Sequence, residues 1–325
     1  MSQAMSTQWN VGRQPRAAVP TGGGPTLWWV LTGQPVRAEN FESAVRHIVG
    51  PLIVQARAWG AERSFYRCLD GAAPQVQVHF LVRSGAAARL KPFAQALAAQ
   101  CAPQLGEMLL SEARAGAYPP LPGEPASPAV EEALALFGGP EGIALTCDVE
   151  ELSTDLGAWA LGRFPTPRAR SPFAALLLFD TAHTMMHGPR SSLWPDRRSP
   201  SWEYYWASHL NSCTASFGPR AERARMALKA RTDTRIVPVQ RQMSAIASEP
   251  SVDAWRKRWV RAIDTYLYRA DRSRISRSAQ FLAFYQSRQL LNRFAMTPRE
   301  EAVLGLYARA WSREQEPGVR RSRDD

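Results

Sequence analysis

Ser64-Phe65-Tyr66-Arg67, then Asp70-Gly71, then Val76-Gln77-Val78-His79-Phe80-Leu81-Val82 is the stretch on which the reading of this chain turns. Aromatic and β-branched residues dominate both arms, the second arm has a period of two, and Asp-Gly suits a tight turn. The segment predicts a β-hairpin with a half-buried second strand. On it Arg67 shares a face with Phe65 and His79 shares one with Gln77, so a closed hairpin brings Arg67 and His79 together. Before it, Leu27-Trp28-Trp29-Val30-Leu31 reads as a strand, and Phe41 to Trp59 as a helix with a bend at Gly50-Pro51. After it comes the Ala-rich helix Ala86 to Cys101, the Pro-rich loop Tyr118 to Pro128, the segment Val130 to Leu136, and a helix over Ile143 to Leu161. A breaker, Phe164 to Pro172, precedes the apolar run Phe173 to Met186, and the remainder is helical in pattern, most clearly over Trp255 to Tyr268, Ser278 to Phe294 and Arg299 to Trp311. Strands early and helices late make an α+β architecture, a sheet packed with helices and a helical C-terminal half. Residues 1–26 read as a flexible arm, 27–312 as one domain with a candidate sub-boundary at 117–129, and 313–325 as a disordered tail.

With 325 residues and 45% hydrophobic residues, the chain has enough apolar side chains for a substantial core. The longest apolar runs, such as Ala174 to Phe179, fall far short of the roughly 20 residues that span a bilayer, and Met1 to Arg16 has no signal-peptide stretch. The expectation is a cytosolic protein with no membrane partner. Cys68, Cys101, Cys147 and Cys213 are far apart and form no CxxC pair, which points to buried free thiols and to no metal site. His183 and His187 have metal-compatible i,i+4 spacing, but no glutamate follows His183, so coincidence is the better reading. The net charge is +11, from 40 Lys and Arg against 29 Asp and Glu, with the arginine excess late in the chain, as in Arg231 to Arg241 and Arg256 to Arg261. Such a field favours an acidic partner, an acidic peptide or nucleic acid.

Several landmarks in one order resemble the elimination domain of lantibiotic-type dehydratases and its thiopeptide-specific relatives, over about Trp28 to Trp311. They are Trp28-Trp29, Phe65-Tyr66-Arg67, Gln77-Val78-His79, Phe137-Gly138-Gly139-Pro140-Glu141, Ser153-Thr154-Asp155 and Arg288-Gln289-Leu290-Leu291-Asn292-Arg293. In the eliminating relatives two strand arginines bind the glutamyl carboxylates and a helical histidine helps remove a proton. Arg67 matches the first arginine; Gln77 and His79 stand in place of the second, and Arg288 in place of the histidine. Without a second guanidinium a departing glutamate would be poorly neutralised. The resemblance therefore implies the other reaction of this fold, carried out by thiopeptide pyridine synthases, which join two dehydroalanines of one peptide in a formal [4+2] aza-cycloaddition. That reaction calls for no cofactor. It calls for a leader-bearing, azole-containing precursor peptide as partner rather than nucleic acid.

On the helix Ser278 to Phe294, Gln280, Phe284, Ser287, Leu291 and Phe294 form one stripe at spacings of three and four, so Ser287 points where apolar residues point. A hydroxyl there either bonds back to the preceding turn or faces a pocket. The resemblance favours the pocket and makes Ser287 a catalytic candidate, with Tyr285 and Gln286 flanking it and Arg67 and His79 across the cleft. Arg288, Gln77, Tyr266, Tyr268, Gln280 and Asn292 are the candidates for holding substrate, and Trp194 to Trp206 for stacking on azoles. Two other readings stand beside the cyclase: a glutamate-eliminating lyase of a split dehydratase, and a non-catalytic module that binds precursor peptide or RNA.

Overall fold

The computed structural model describes residues 26–35, 41–69, 75–113, 128–193 and 200–321. The hairpin forms as strands β2 (Arg63–Leu69) and β3 (Gln75–Arg83), while its turn residues 70–74 lie outside the described segments. β3 continues through β1 (Thr26–Pro35) to β4 (Met108–Ala113) in an antiparallel sheet of order β2-β3-β1-β4. β4 is absent from the sequence reading. Met-Leu-Leu-Ser-Glu-Ala has neither alternation nor β-branched residues, and pairing to β1 makes it a strand.

Period-two alternation divides the sheet into two faces. Trp29, Leu31, Cys68, Val76, Val78, Phe80 and Val82 pack against Val45, Val49, Leu52, Ile53, Leu90 and Ala94. Those residues belong to α1 (Phe41–Ala44), a π-helical turn (Val45–Val49), α2 (Gly50–Ala58) and α3 (Ser84–Leu105). The π turn sits where Gly50-Pro51 predicted a bend, because Pro51 has no N–H to donate to the preceding turn. On the opposite face Trp28 and Phe65 meet Phe137, Ile143 and Cys147 of α4 (Pro128–Phe137) and α5 (Pro140–Arg163). Between those helices Gly138 and Gly139 take φ of +73° and +112°, which glycine adopts without strain, and Pro140 starts α5 at a position where no N–H is needed.

β2 is an edge strand, and α5 covers its edge. The Ser64 N–H donates to Glu151 at 3.0 Å and the Tyr66 N–H to Thr154 Oγ1 at 3.2 Å, while Arg57 binds Asp155 at 2.8 Å. The Ser153-Thr154-Asp155 motif thus docks α5 on β2 through Thr154 and on α2 through Asp155. Arg170, fully buried, adds a second tie: it holds Glu42 at 2.6 and 3.0 Å and the Phe164 carbonyl at 2.9 Å.

The helical half is built around α6 (Pro167–His187), whose Phe173–Phe179 stretch is buried on all sides and therefore apolar all round. It begins at Pro167, inside the predicted breaker, because proline suits a first helical turn. Around it lie α7 (Trp202–Thr214), α8 (Ala221–Asp233), α9 (Ile236–Ala247), α10 (Pro250–Arg272), α11 (Ala279–Arg293) and α12 (Pro298–Arg321). α12 runs past residue 312, where composition alone placed the domain end, since Ser312 to Glu316 is rich in good helix formers. Cys68, Cys147 and Cys213 are buried thiols, and Cys101 is a half-buried one. No described helix is long and apolar enough to cross a membrane.

Candidate functional site

Strand register brings the hairpin side chains together. Arg67 lies opposite Gln77 and Phe65 opposite His79, on the face that looks toward α4, α5 and α11. The His79 ring stacks on Phe65 at 4.8 Å, and the Arg67 guanidinium sits 5.6 Å from the centroids of both Phe65 and Phe137. Burial holds the His79 imidazole well below its ordinary pKa, and the positive charges of Arg67 and Arg293 push the same way. Near neutral pH its surroundings therefore keep this histidine uncharged.

Glu150 of α5 organises the charges. It is fully buried, 3.2 Å from Arg67 Nη2, and also accepts from Arg293, whose guanidinium further donates to the carbonyls of Tyr66 and Gln289. One carboxylate thus holds two guanidiniums and joins β2, α5 and α11. Glu150 escaped the sequence reading, although a signal existed: it lies four residues from Thr146 and from Thr154 on a helix stripe otherwise formed by apolar and small residues.

Above this network stand the tyrosines. Tyr266 of α10 shares a hydrogen bond of 3.2 Å with Thr146, and burial raises its pKa although Thr146 and Gln286 oppose the rise. Tyr285 meets Phe137 edge-on at 5.0 Å; burial pushes its pKa up to about 12, against the pull of Arg67. Cys147 is likewise pushed up to about 12 by burial. Near neutral pH these three therefore carry their protons. Gln286 is fully buried beside Tyr266, yet neither amide atom closes a well-directed hydrogen bond among the described residues, and the Gln289 amide oxygen is in the same condition. Buried amides of this kind can hydrogen-bond an ordered water or the polar atoms of a ligand.

Of the residues singled out from sequence, Arg67, His79, Gln77, Tyr266, Tyr285 and Gln286 thus gather between β2–β3 and α5, α10 and α11. Asn292, buried and seven residues beyond Tyr285, shares that side of α11. Ser287 does not, because two helical steps turn it roughly 200° from Tyr285. Its stripe faces α6 and α7: Phe284 packs on Tyr205 at 4.8 Å and Phe294 on Phe173 at 6.0 Å. The Ser287 hydroxyl is buried without a hydrogen-bond partner among the described residues, and Gln280 lies half-buried at the margin. Tyr268 sits under Arg190, 5.1 Å from guanidinium to ring.

Arg288 points to a second network. Its Nε is 3.2 Å from Glu301, which also lies 3.4 Å from His209 Nε2, and Cys213 Sγ is 3.8 and 3.9 Å from the two His209 ring nitrogens. A sulfur equidistant from both nitrogens lies on neither lone pair, and Arg288 already supplies a cation, so the group reads as an ion network. Burial opposes protonation of His209, but Cys213 and Glu301 outweigh it and raise its pKa to about 10. The His183 and His187 rings lie 5.5 Å apart, tilted to each other, and both lie against Trp202. Trp194 falls outside the described residues, Tyr204 is exposed and Tyr205 is buried.

No protein-family model matches the chain, and no curated protein does. Solved structures do. TsrL is similar over 90% of this chain and 96% of its own, with a TM-score of 0.61 at 16% identity. The pyridine synthase TbtD from thiomuracin biosynthesis is similar over 87% and 97%, with a TM-score of 0.57 at 17% identity. The tRNA-dependent lantibiotic dehydratase MibB from Microbispora sp. 107891 is similar over 90% of this chain but 28% of its own, with a TM-score of 0.55 at 18% identity. The chain therefore has the fold of a thiopeptide pyridine synthase, a fold that a lantibiotic dehydratase carries as one part of a much longer protein.

Proposed function

We propose that this chain is a pyridine-forming enzyme of thiopeptide biosynthesis acting on a leader-bearing, azole-containing peptide with two dehydroalanines. The observation that carries the reading is the register of the hairpin within the fold of a pyridine synthase: Gln77 and His79, not a second arginine, face Arg67 and Phe65. A lyase that expels glutamate needs guanidiniums open to the departing carboxylates, whereas Arg67 is nearly buried and shares Glu150 with Arg293.

The chemistry divides into two stages. In the first, the amide preceding one dehydroalanine shifts a proton from nitrogen to oxygen and becomes an iminol, so that C=C–N=C forms an aza-diene. The alkene of the second dehydroalanine adds across it, forming two carbon–carbon bonds and a six-membered ring that bears a hydroxyl. In the second stage the hydroxyl leaves as water and the leader leaves as an amide, each with a ring proton, giving the aromatic pyridine without net oxidation or reduction. Every step beyond the cycloaddition is a proton transfer or a hydrogen bond to a departing group. Tyr285 and Tyr266, protonated at neutral pH, are suited to donate to the iminol oxygen or the departing hydroxyl. Gln286 is suited to orient the reacting amide, and neutral His79 to offer it a ring nitrogen for a hydrogen bond rather than to carry its proton. Ser287 and Arg288 enter this reading on the resemblance, Ser287 as a hydrogen-bonding group to the reacting amide and Arg288 as a contact to the peptide.

The test is mass spectrometry of the purified protein incubated with such a peptide, without tRNA or cofactor. Release of water and a leader amide with a pyridine chromophore is the expected result. Glutamate release from a glutamylated analogue, with the bis-dehydroalanine peptide untouched, would move the assignment to a lyase; tight binding with no turnover of either would leave a binding module.

A further inference from the structure

Outside the polar cluster, α5 and α10 enclose an open groove of about 420 Å³ along their seam. Leu145, Val149, Leu152 and Ala262 give it an apolar floor, and Arg258, Arg261 and Arg269 line it with Asp148 as the one carboxylate. Asp148 is already held by Arg63 at 2.7 Å and Arg269 at 2.9 Å, so the rim remains cationic. Arg258 is fixed in place over the Trp255 ring at 4.1 Å, and Arg261 is exposed. At its inner end the groove is lined by Tyr266, whose hydroxyl reaches Thr146 and the Gln286 side of the polar cluster.

We propose that this groove binds an extended, acidic segment of a peptide, carboxylates on the three arginines and small apolar side chains on the floor. Arg258 and Arg269 are eleven residues apart on one helix, a span of roughly 16 Å at 1.5 Å per residue. An extended chain covers that distance in about five residues. Charge complementarity selects the acidic partner, and the floor selects peptide over nucleic acid. A nucleic-acid strand wants exposed aromatic platforms, whereas Tyr266, the aromatic residue lining the groove, is buried with its hydroxyl tied to Thr146. The inference deepens the reading of a peptide substrate and rests on it for the identity of the bound chain. Because Tyr266 belongs to both places, a segment held in the groove would be delivered to the edge of the polar cluster.

Fluorescence anisotropy with a labelled five-residue peptide of alternating glutamate and leucine tests this without requiring turnover. The expected result is salt-sensitive binding, about tenfold weaker with glutamine in place of glutamate, and weakened by about tenfold in Arg261→Glu and in Arg258→Gln. Arg261→Lys should keep most of the affinity, and Arg241→Glu on exposed α9, an equal charge change elsewhere, should leave it within about twofold. Thermal melts of each variant separate lost binding from lost fold. An equal loss in Arg241→Glu would reduce the groove to a diffuse field, displacement by an oligonucleotide at lower concentration would make it a nucleic-acid site, and no binding by the wild type would end the proposal. Binding of this peptide, with no pyridine formed from the separate bis-dehydroalanine substrate, would sink the cyclase assignment and leave the groove standing.

Discussion

Replacing Glu150 with glutamine removes the one charge that holds two buried guanidiniums. Arg293 has no exposed side-chain surface and Arg67 has a tenth of its own, so neither can turn to bulk water without moving β2 or α11. Removing one partner of a buried ion pair costs about 3–5 kcal/mol, because the remaining charge stays desolvated. The glutamine oxygen can keep one hydrogen bond to Arg293, which places Glu150→Gln near the lower figure, about 3 kcal/mol. Against a usual net stability of roughly 5–15 kcal/mol that is a large share. The loss is measured by equilibrium urea unfolding followed by tryptophan fluorescence, comparing the midpoints at equal slope. Adding Arg67→Met should restore part of it, because one unpaired cation disappears with its partner, and the double-mutant cycle should show a coupling of about 1 kcal/mol or more. A loss below about 1 kcal/mol for Glu150→Gln would refute the reasoning and mean that water reaches the network in the folded protein.

Two histidines should bracket the pH of maximum stability. His209, raised to about 10, contributes stability that is complete below the unfolded value near 6.5 and is lost as pH rises from there through 10; His79, lowered, contributes stability that is present above 6.5 and lost as pH falls below it. Proton NMR of the imidazole Cε1–H signals at pH 8 should find His209 charged and His79 neutral, and two histidines both titrating near 6.5 would contradict both assignments. At the polar cluster, Tyr285→Phe should slow pyridine formation by on the order of a hundredfold with peptide affinity unchanged, and an unaltered rate would take the phenol out of the mechanism. Ser287→Ala should also slow cyclisation at equal leader binding; unchanged turnover would leave its hydroxyl a packing feature of the α6–α7 side.

Local pattern was enough for much of the architecture. Alternation in Val76 to Val82 and the aromatic Ser64 to Arg67 arm determined a hairpin with Arg67, Gln77 and His79 on one face, because side chains on a strand can point only two ways. Glycines at 138 and 139 followed by Pro140 determined a turn and a helix start for equally local reasons, positive φ and a missing N–H. β4 was not legible, since its strand character comes from its partner β1.

On α11 the sequence determined an amphipathic helix but not which neighbour each face would meet. Its Ser287 stripe looked like the wall of a cleft, and tertiary packing turned that stripe to α6 and α7 and the Tyr285–Gln286 side to the sheet. Glu150 shows the same limit. One carboxylate among several on a helix reads as solvated until β2 and α11 bring Arg67 and Arg293 to it from 83 and 143 positions away, and only those long-range contacts make it the centre of the site. What the sequence alone determined was the local geometry of strand, turn and helix, where periodicity and steric limits act between neighbours; what the tertiary structure decided was which charges share a desolvated space, because that depends on residues far apart in the chain.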